Sequence, residues 1–169
     1  KLGSTMVEAQ EKGTANRELI VVPQYFYPTY GGLQHFTTRL CRELAKEYGI
    51  SITILSPRPE EGREVLDHQL DREIFKIHEL GNCRDDFWQT ASRFLSTEHV
   101  SYPVLVIGLE FESLIENQLN FLQSAACTHN LFLRIATTGD FHDVIEKRIE
   151  RFNKFRSCKG IVVLTDYMK

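Results

Sequence analysis

Asp140 and His142 stand two residues apart, just after the apolar run Leu131 to Ile135. A carboxylate or imidazole facing a cleft can accept the proton of a hydroxyl, or orient that hydroxyl for attack. Asp140 has a second use, as the cap of a helix starting near Phe141. His142 can equally be an ordinary surface residue. Much earlier, Gly31 and Gly32 directly precede an amphipathic stretch. Glycines there adopt backbone angles closed to other residues and let a ligand approach the main chain. The amides and dipole of a helix N-terminus also favour an anion. The alternative is a tight strand-to-helix turn that binds nothing. Arg134 is a third anomaly, a charge inside LFLRI, where burial is costly without a partner. It either reaches a cleft from a strand end or lies on an exposed edge. Tyr25, Phe26, Tyr27 and Tyr30 make the loop before the glycines aromatic. Some of these rings can stack on a ligand, while Phe26 or Tyr27 is expected in the core.

These residues need elements to hold them. Leu19 to Val22 is a continuous apolar run, as in a strand buried on both faces. Pro23 lacks an N–H and is expected to end its ladder. Leu33, Phe36, Thr37, Leu40, Cys41, Leu44 and Tyr48 share one face at helical spacing, and Gly49 is a fitting stop. Strands are further predicted at Ile50 to Leu55, Glu73 to Leu80, Val104 to Ile107, Asn130 to Ile135 and Gly160 to Leu164. Ser56 to Gly62 has loop composition, and Gly108 is expected to end its strand. Helices are predicted at Asp85 to Leu95, Phe111 to Gln123 and Asp143 to Arg156. Strands alternating with helices, without a hairpin signal or an internal repeat, predict an α/β fold: a Rossmann-like parallel sheet flanked by helices. Ligands of such sheets bind outside the carboxyl ends of the strands.

Composition sets the outer limits. The chain has 169 residues, 42% hydrophobic and 25% charged, with a formal net charge of -3. That is ordinary for a globular domain and gives no global reason to bind nucleic acid. No run reaches the roughly 18 apolar residues of a membrane span. Cys41, Cys83, Cys127 and Cys158 form no C-x-x-C pair, which fits reduced, mostly buried thiols in a cytoplasmic protein; no metal site is expected. Residues 1–18 are polar, lack the apolar stretch of a signal peptide, and begin like a cloning remnant ahead of Met6. They are set aside as a tail, which leaves 19–169 as one domain. Between Phe141 and Gly160, Lys147, Arg148, Arg151, Lys154, Arg156 and Lys159 outnumber Asp143, Glu146 and Glu150. That face is either solvated or a peripheral contact with anionic lipid. Glu110, Glu112, Thr165 and Asp166 sit near predicted helix starts, where capping is their plain role.

The stretch YFYPTYGGLQHFTTRLCREL (25–44) resembles the N-terminal half of GT-B glycosyltransferases of family 4, the group 1 enzymes. There a first strand leads through a Tyr/Phe-Pro-x-x-Gly-Gly loop into a helix. VLVIGLEFESLIENQL, LFLRIATTGDF and FRSCKGIVVLTDYMK are similar to later strands of that domain, so the resemblance spans roughly residues 19 to 169 and is weakest between about 57 and 100. It implies the N-terminal half of a GT-B fold: an acceptor-binding domain of an enzyme moving a sugar from a nucleotide-sugar donor to a hydroxyl acceptor. Gly31 and Gly32 would then lie beside the donor phosphates. Tyr30, Gln34, Thr138 and Arg134 would face the acceptor, and Asp140 and His142 would be the catalytic or orienting pair. Here Thr-Thr-Gly-Asp replaces a His-centred motif, which leaves that last assignment open. The donor-holding domain with its Glu-x7-Glu motif has no counterpart in this chain. The resemblance therefore implies a partner domain or subunit, a sugar, lipid-linked or small-molecule acceptor, no cofactor beyond the donor substrate, and no turnover by the chain alone. Two other readings stay open. A stand-alone Rossmann-like nucleotide-binding module would want G-x-G-x-x-G and an acidic residue after the second strand, and the sequence shows neither. A protein-interaction module is the other.

Overall fold

The computed structural model describes residues 17–24, 26, 31–58, 74–81, 84–97, 102–109, 115–135 and 158–163. The short aliphatic runs form strands β1 Glu18–Pro23, β2 Ser51–Pro57, β3 Lys76–Leu80, β4 Val104–Leu109, β5 Leu131–Ile135 and β6 Gly160–Val163. The amphipathic runs form helices α1 Gly32–Tyr48, α2 Arg84–Thr97 and α3 Glu116–Thr128. The strands build one sheet in the order β3-β2-β1-β4-β5-β6. Every pairing in it is parallel. This is the expected α/β, Rossmann-like arrangement, and its strand order reverses direction between β1 and β4.

Alternate residues of each strand serve opposite faces. Val21, Ile52, Ile54 and Ile107 pack with Leu33, Phe36, Leu40 and Leu44 of α1. Val22, Val106, Leu131 and Leu133 pack on the other face with Phe87, Trp88, Phe121 and Leu122 of α2 and α3. There the Trp88 ring centroid lies 5.0 Å from that of Phe87 and 5.1 Å from that of Phe121. Phe26 is buried in the α1-side core. Two connections at the amino ends of the strands are short: Gly49–Ile50 joins α1 to β2, and His129–Asn130 joins α3 to β5. Gly49 takes a left-handed φ of 62°, the conformation its place as helix stop predicts.

Some boundaries match expectation and several differ, each for a visible reason. Pro23 is the last residue of β1, as expected, and stands in register with Ile107; one further bond follows it, from the Gln24 N–H to the Ile107 carbonyl at 2.9 Å. Donors alternate sides along a strand, so the donor missing at Pro23 points toward β2, whose pairing has already ceased at Val21. Ser56 and Pro57 belong to β2 in the same way. Arg58 N–H donates to the Leu80 carbonyl, so Pro57 turns its missing donor toward β1, which it no longer pairs. Gly108 does not end β4; the register to β5 shifts between Ile107 and Leu109, with Gly108 at φ 86°. Helix α3 starts later than Phe111, because Ile115 is extended at φ −87°, ψ 160°. Its buried residues are Gln118, Phe121, Leu122 and Ala125. Tyr48 is 64% exposed rather than on the core face of α1. The helix predicted from Asp143 to Arg156 lies outside the described residues.

Candidate functional site

Each helix runs back across the sheet, so α1, α2 and α3 all begin at the carboxyl ends of the strands. There β1 leads into α1, the first βα unit beside the reversal of strand order. The N-terminus of α1 carries no side-chain cap and no acidic residue in its first turn. The first helical hydrogen bond runs from His35 N–H to the Gly31 carbonyl at 3.1 Å. The amides before it have no acceptor within the helix. Gly31 is extended at φ 176°, ψ 173°, a conformation open to any residue, so backbone freedom is not why glycine stands there. Space is the visible difference. Gly31 and Gly32 are exposed, and a Cβ on either meets no atom within 4 Å. Gly108 contrasts with them, since a Cβ there would run into the Leu33 side chain.

Arg134 sits one residue from the end of β5, an interior strand flanked by β4 and β6, so it is not on an exposed edge. Its register partners are Ile107 and Val162. The guanidinium carbon lies 3.8 Å from the centroid of the Phe36 ring on α1. Nε and Nη1 are buried without a hydrogen-bond partner. Burial pushes the guanidinium pKa below its ordinary value, although the group stays charged at neutral pH. A cation over an aromatic face recovers about 0.5–2 kcal/mol. That falls short of the several kcal/mol that removing a charge from water costs. Phe36 lies one turn after Gly32, hence on the same flank of α1. Gly32, Phe36 and Arg134 therefore share one side of the crevice.

Gln34 lies on the opposite flank, because residues two apart are about 200° apart around a helix. Its side chain is 2% exposed, with Oε1 unpartnered. One turn on, Thr38 is also buried with its Oγ1 unpartnered. The structure thus does not bring Gln34 to Arg134. Sequence reasoning missed Gln118, which is 0% exposed and has neither amide atom paired. Gln34 and Gln118 each occupy the third position of their helix, where glutamine ordinarily turns back to the cap. A polar residue repeated at that position of both βα units was the available signal. Trp88, early in α2, adds a buried unpartnered Nε1. Buried polar groups without partners cost about 1–3 kcal/mol each, and native folds keep few of them. Here they gather near the carboxyl ends of the strands.

Tyr30, Thr138, Asp140 and His142 lie outside the described residues. The end of β2, Ser56-Pro57-Arg58, offers no carboxylate for a ribose. Among the described residues, no group of three or more His, Cys, Asp or Glu is placed to hold a metal ion, and no helix is long and apolar enough to cross a membrane. Of the cysteines, Cys41 is buried, Cys158 half-buried and Cys127 exposed, all as free thiols.

No protein-family model matches the chain, and no curated protein matches it. Among solved structures it is similar to a von Willebrand factor type A protein from Catenulispora acidiphila, at 12% identity and a TM-score of 0.42. The likeness covers 89% of this chain and 39% of that one, so the chain spans well under half of that structure. At this identity and score the likeness carries no weight for function.

Proposed function

We propose that the chain is the acceptor-binding domain of a cytoplasmic glycosyltransferase, one wall of a cleft whose other wall is a donor-binding domain. The observation that supports this is the gathering of unsatisfied polar groups, above all Arg134, at the carboxyl ends of the strands beside the open N-terminus of α1. That is where α/β sheets of this order bind ligands. In this reading the amides behind Gly31 and Gly32 stabilise the phosphates of a nucleotide-sugar leaving group. Arg134, Tyr30 and Thr138 hold the acceptor, and Gln34, expected beside them, is left out because it is buried on the other flank of α1. Asp140 or His142 accepts or orients its hydroxyl proton.

The chain alone does not transfer sugar in this account, since donor selection belongs to the other wall. The test assays sugar release and transfer from a panel of nucleotide sugars. It uses the 169-residue chain alone and the chain joined to a family 4 donor-binding domain. Turnover by the joined form only is expected. Robust transfer by the chain alone overturns the proposal. Micromolar binding of NAD by the chain, measured by calorimetry, also overturns it, in favour of a stand-alone nucleotide-binding module.

A further inference from the structure

On the face of the sheet opposite α1, a cavity of about 360 Å³ opens between α2 and α3. Small-molecule sites have volumes of about 300–1,000 Å³. The floor is Trp88 of α2 and Phe121 of α3, each 1% exposed, with ring centroids 5.1 Å apart. The rim is polar. Gln89 and Arg93 come from α2, one turn apart, and Asn117 and Asn120 from the start of α3. Gln89, Arg93 and Asn120 are exposed, and Asn117 is half-buried. No carboxylate lines the cavity. The indole Nε1 of Trp88 is buried and has no hydrogen-bond partner. Around α2, Trp88 stands between the core residues Ala91 and Leu95 and the rim residues Gln89 and Arg93. The floor residue with the unpaired donor therefore borders both core and cavity. A buried tryptophan ordinarily finds a partner for its N–H. Phenylalanine at 88 would fill the floor without a stranded donor, and alanine at 117 and 120 would make a better helix.

We infer that the cavity between α2 and α3 is a further binding site, for one neutral polyhydroxylated ring such as a monosaccharide or a cyclitol. Trp88 Nε1 donates to an oxygen of that ligand. Length argues against a peptide: the lining spans about 7.5 Å along α2 and about 6 Å along α3, room for roughly two extended residues. Burial argues against a stacked base, since neither Trp88 nor Phe121 offers a face. A carboxamide both donates and accepts, as a hydroxyl does. Gln89, Asn117 and Asn120 can therefore meet neighbouring hydroxyls in either role. The inference does not depend on the acceptor-domain reading, because this cavity lies across the sheet from α1.

Trp88 is the chain's single tryptophan, so its indole N–H resonance reports on the floor alone. The 169-residue chain is titrated with glucose, N-acetylglucosamine and myo-inositol, and for contrast with adenine, tri-alanine and inorganic phosphate. At least one of the three polyols is expected to shift the Trp88 resonance saturably, and the contrasts to leave it unmoved. Gln89→Ala and Asn120→Ala change exposed side chains and should not lower the melting temperature. Combined, they should weaken polyol binding about tenfold, the effect of losing two neutral hydrogen bonds. Trp88→Phe keeps an aromatic floor and, followed by calorimetry, should weaken binding as well. A stronger Trp88 shift from adenine, tri-alanine or phosphate overturns the proposal and assigns the cavity to a base, a peptide or an anion. Full affinity in the doubly substituted chain, polyol binding that leaves Trp88 unmoved, or no saturable response to any polyol also overturns it.

Discussion

Gln118 states a general point about single residues in this protein. Its amide is wholly buried and neither polar atom is paired. Gln118→Met keeps the length and removes the stranded groups, and should stabilise the chain by about 1 kcal/mol, near 2–4 °C in melting temperature. A lower melting point would show that the amide is satisfied in solution. The thiols give a second test. Burial raises Cys158 to a pKa of about 11, from an ordinary 9.0. At pH 8 its thiolate fraction is then roughly one in a thousand, and its alkylation should climb about tenfold per pH unit up to pH 11. Exposed Cys127 should be labelled first at pH 8. The sign for folding follows from the same shift. The native state favours the neutral thiol, so this contribution is intact below pH 9 and is lost between pH 9 and about 11. Of the site residues, Arg134 was legible as an anomaly because a charge interrupts an apolar run. Gln118 was not, because one polar residue in a helix looks like its solvent face until the helix phase is known.

At the scale of elements, strands were easier to read than their ends. Continuous aliphatic runs such as Leu19 to Val22 and Val104 to Ile107 leave little choice in a buried parallel sheet. Whether a proline or glycine ends such a run depends on which neighbour is still paired, and that is tertiary information. Pro57 and Gly108 were misjudged for this reason, while Pro23 does close β1. The start of α3 was misjudged because Phe111, Leu114 and Ile115 continue an apparent helical period across residues that include an extended Ile115. Glycine positions differ sharply in what they tolerate. Gly108→Ala meets both a left-handed φ and the Leu33 side chain, and should cost about 2–4 kcal/mol in denaturant titration. Gly32→Ala meets open space in the first turn of α1, and should gain about 0.5 kcal/mol. If binding at the N-terminus of α1 needs a bare backbone, that stabler variant should bind anions more weakly.

At the scale of the molecule, the connections between elements differ in how much slack they hold. Two of the connections at the strands' amino ends, Gly49–Ile50 and His129–Asn130, are two residues long and leave little slack, while the one between Thr97 and Val104 is longer. At the amino end of β2, Ser51 N–H also donates to the Arg17 carbonyl at 2.8 Å. Fold class was readable from sequence because it depends on this regular framework, whereas the functional expectation came mainly from a family resemblance, because hydrophobic periodicity assigns no chemistry. A turn of two residues cannot accept an insertion without moving a strand, whereas a long surface connection takes one for about 0.6 kcal/mol per doubling of its length. Insertions introduced into this protein, by descent or in a library, should therefore be purged from the turns Gly49–Ile50 and His129–Asn130 and survive in its longer connections. The framework can then change its customer while the sheet beneath stays the same.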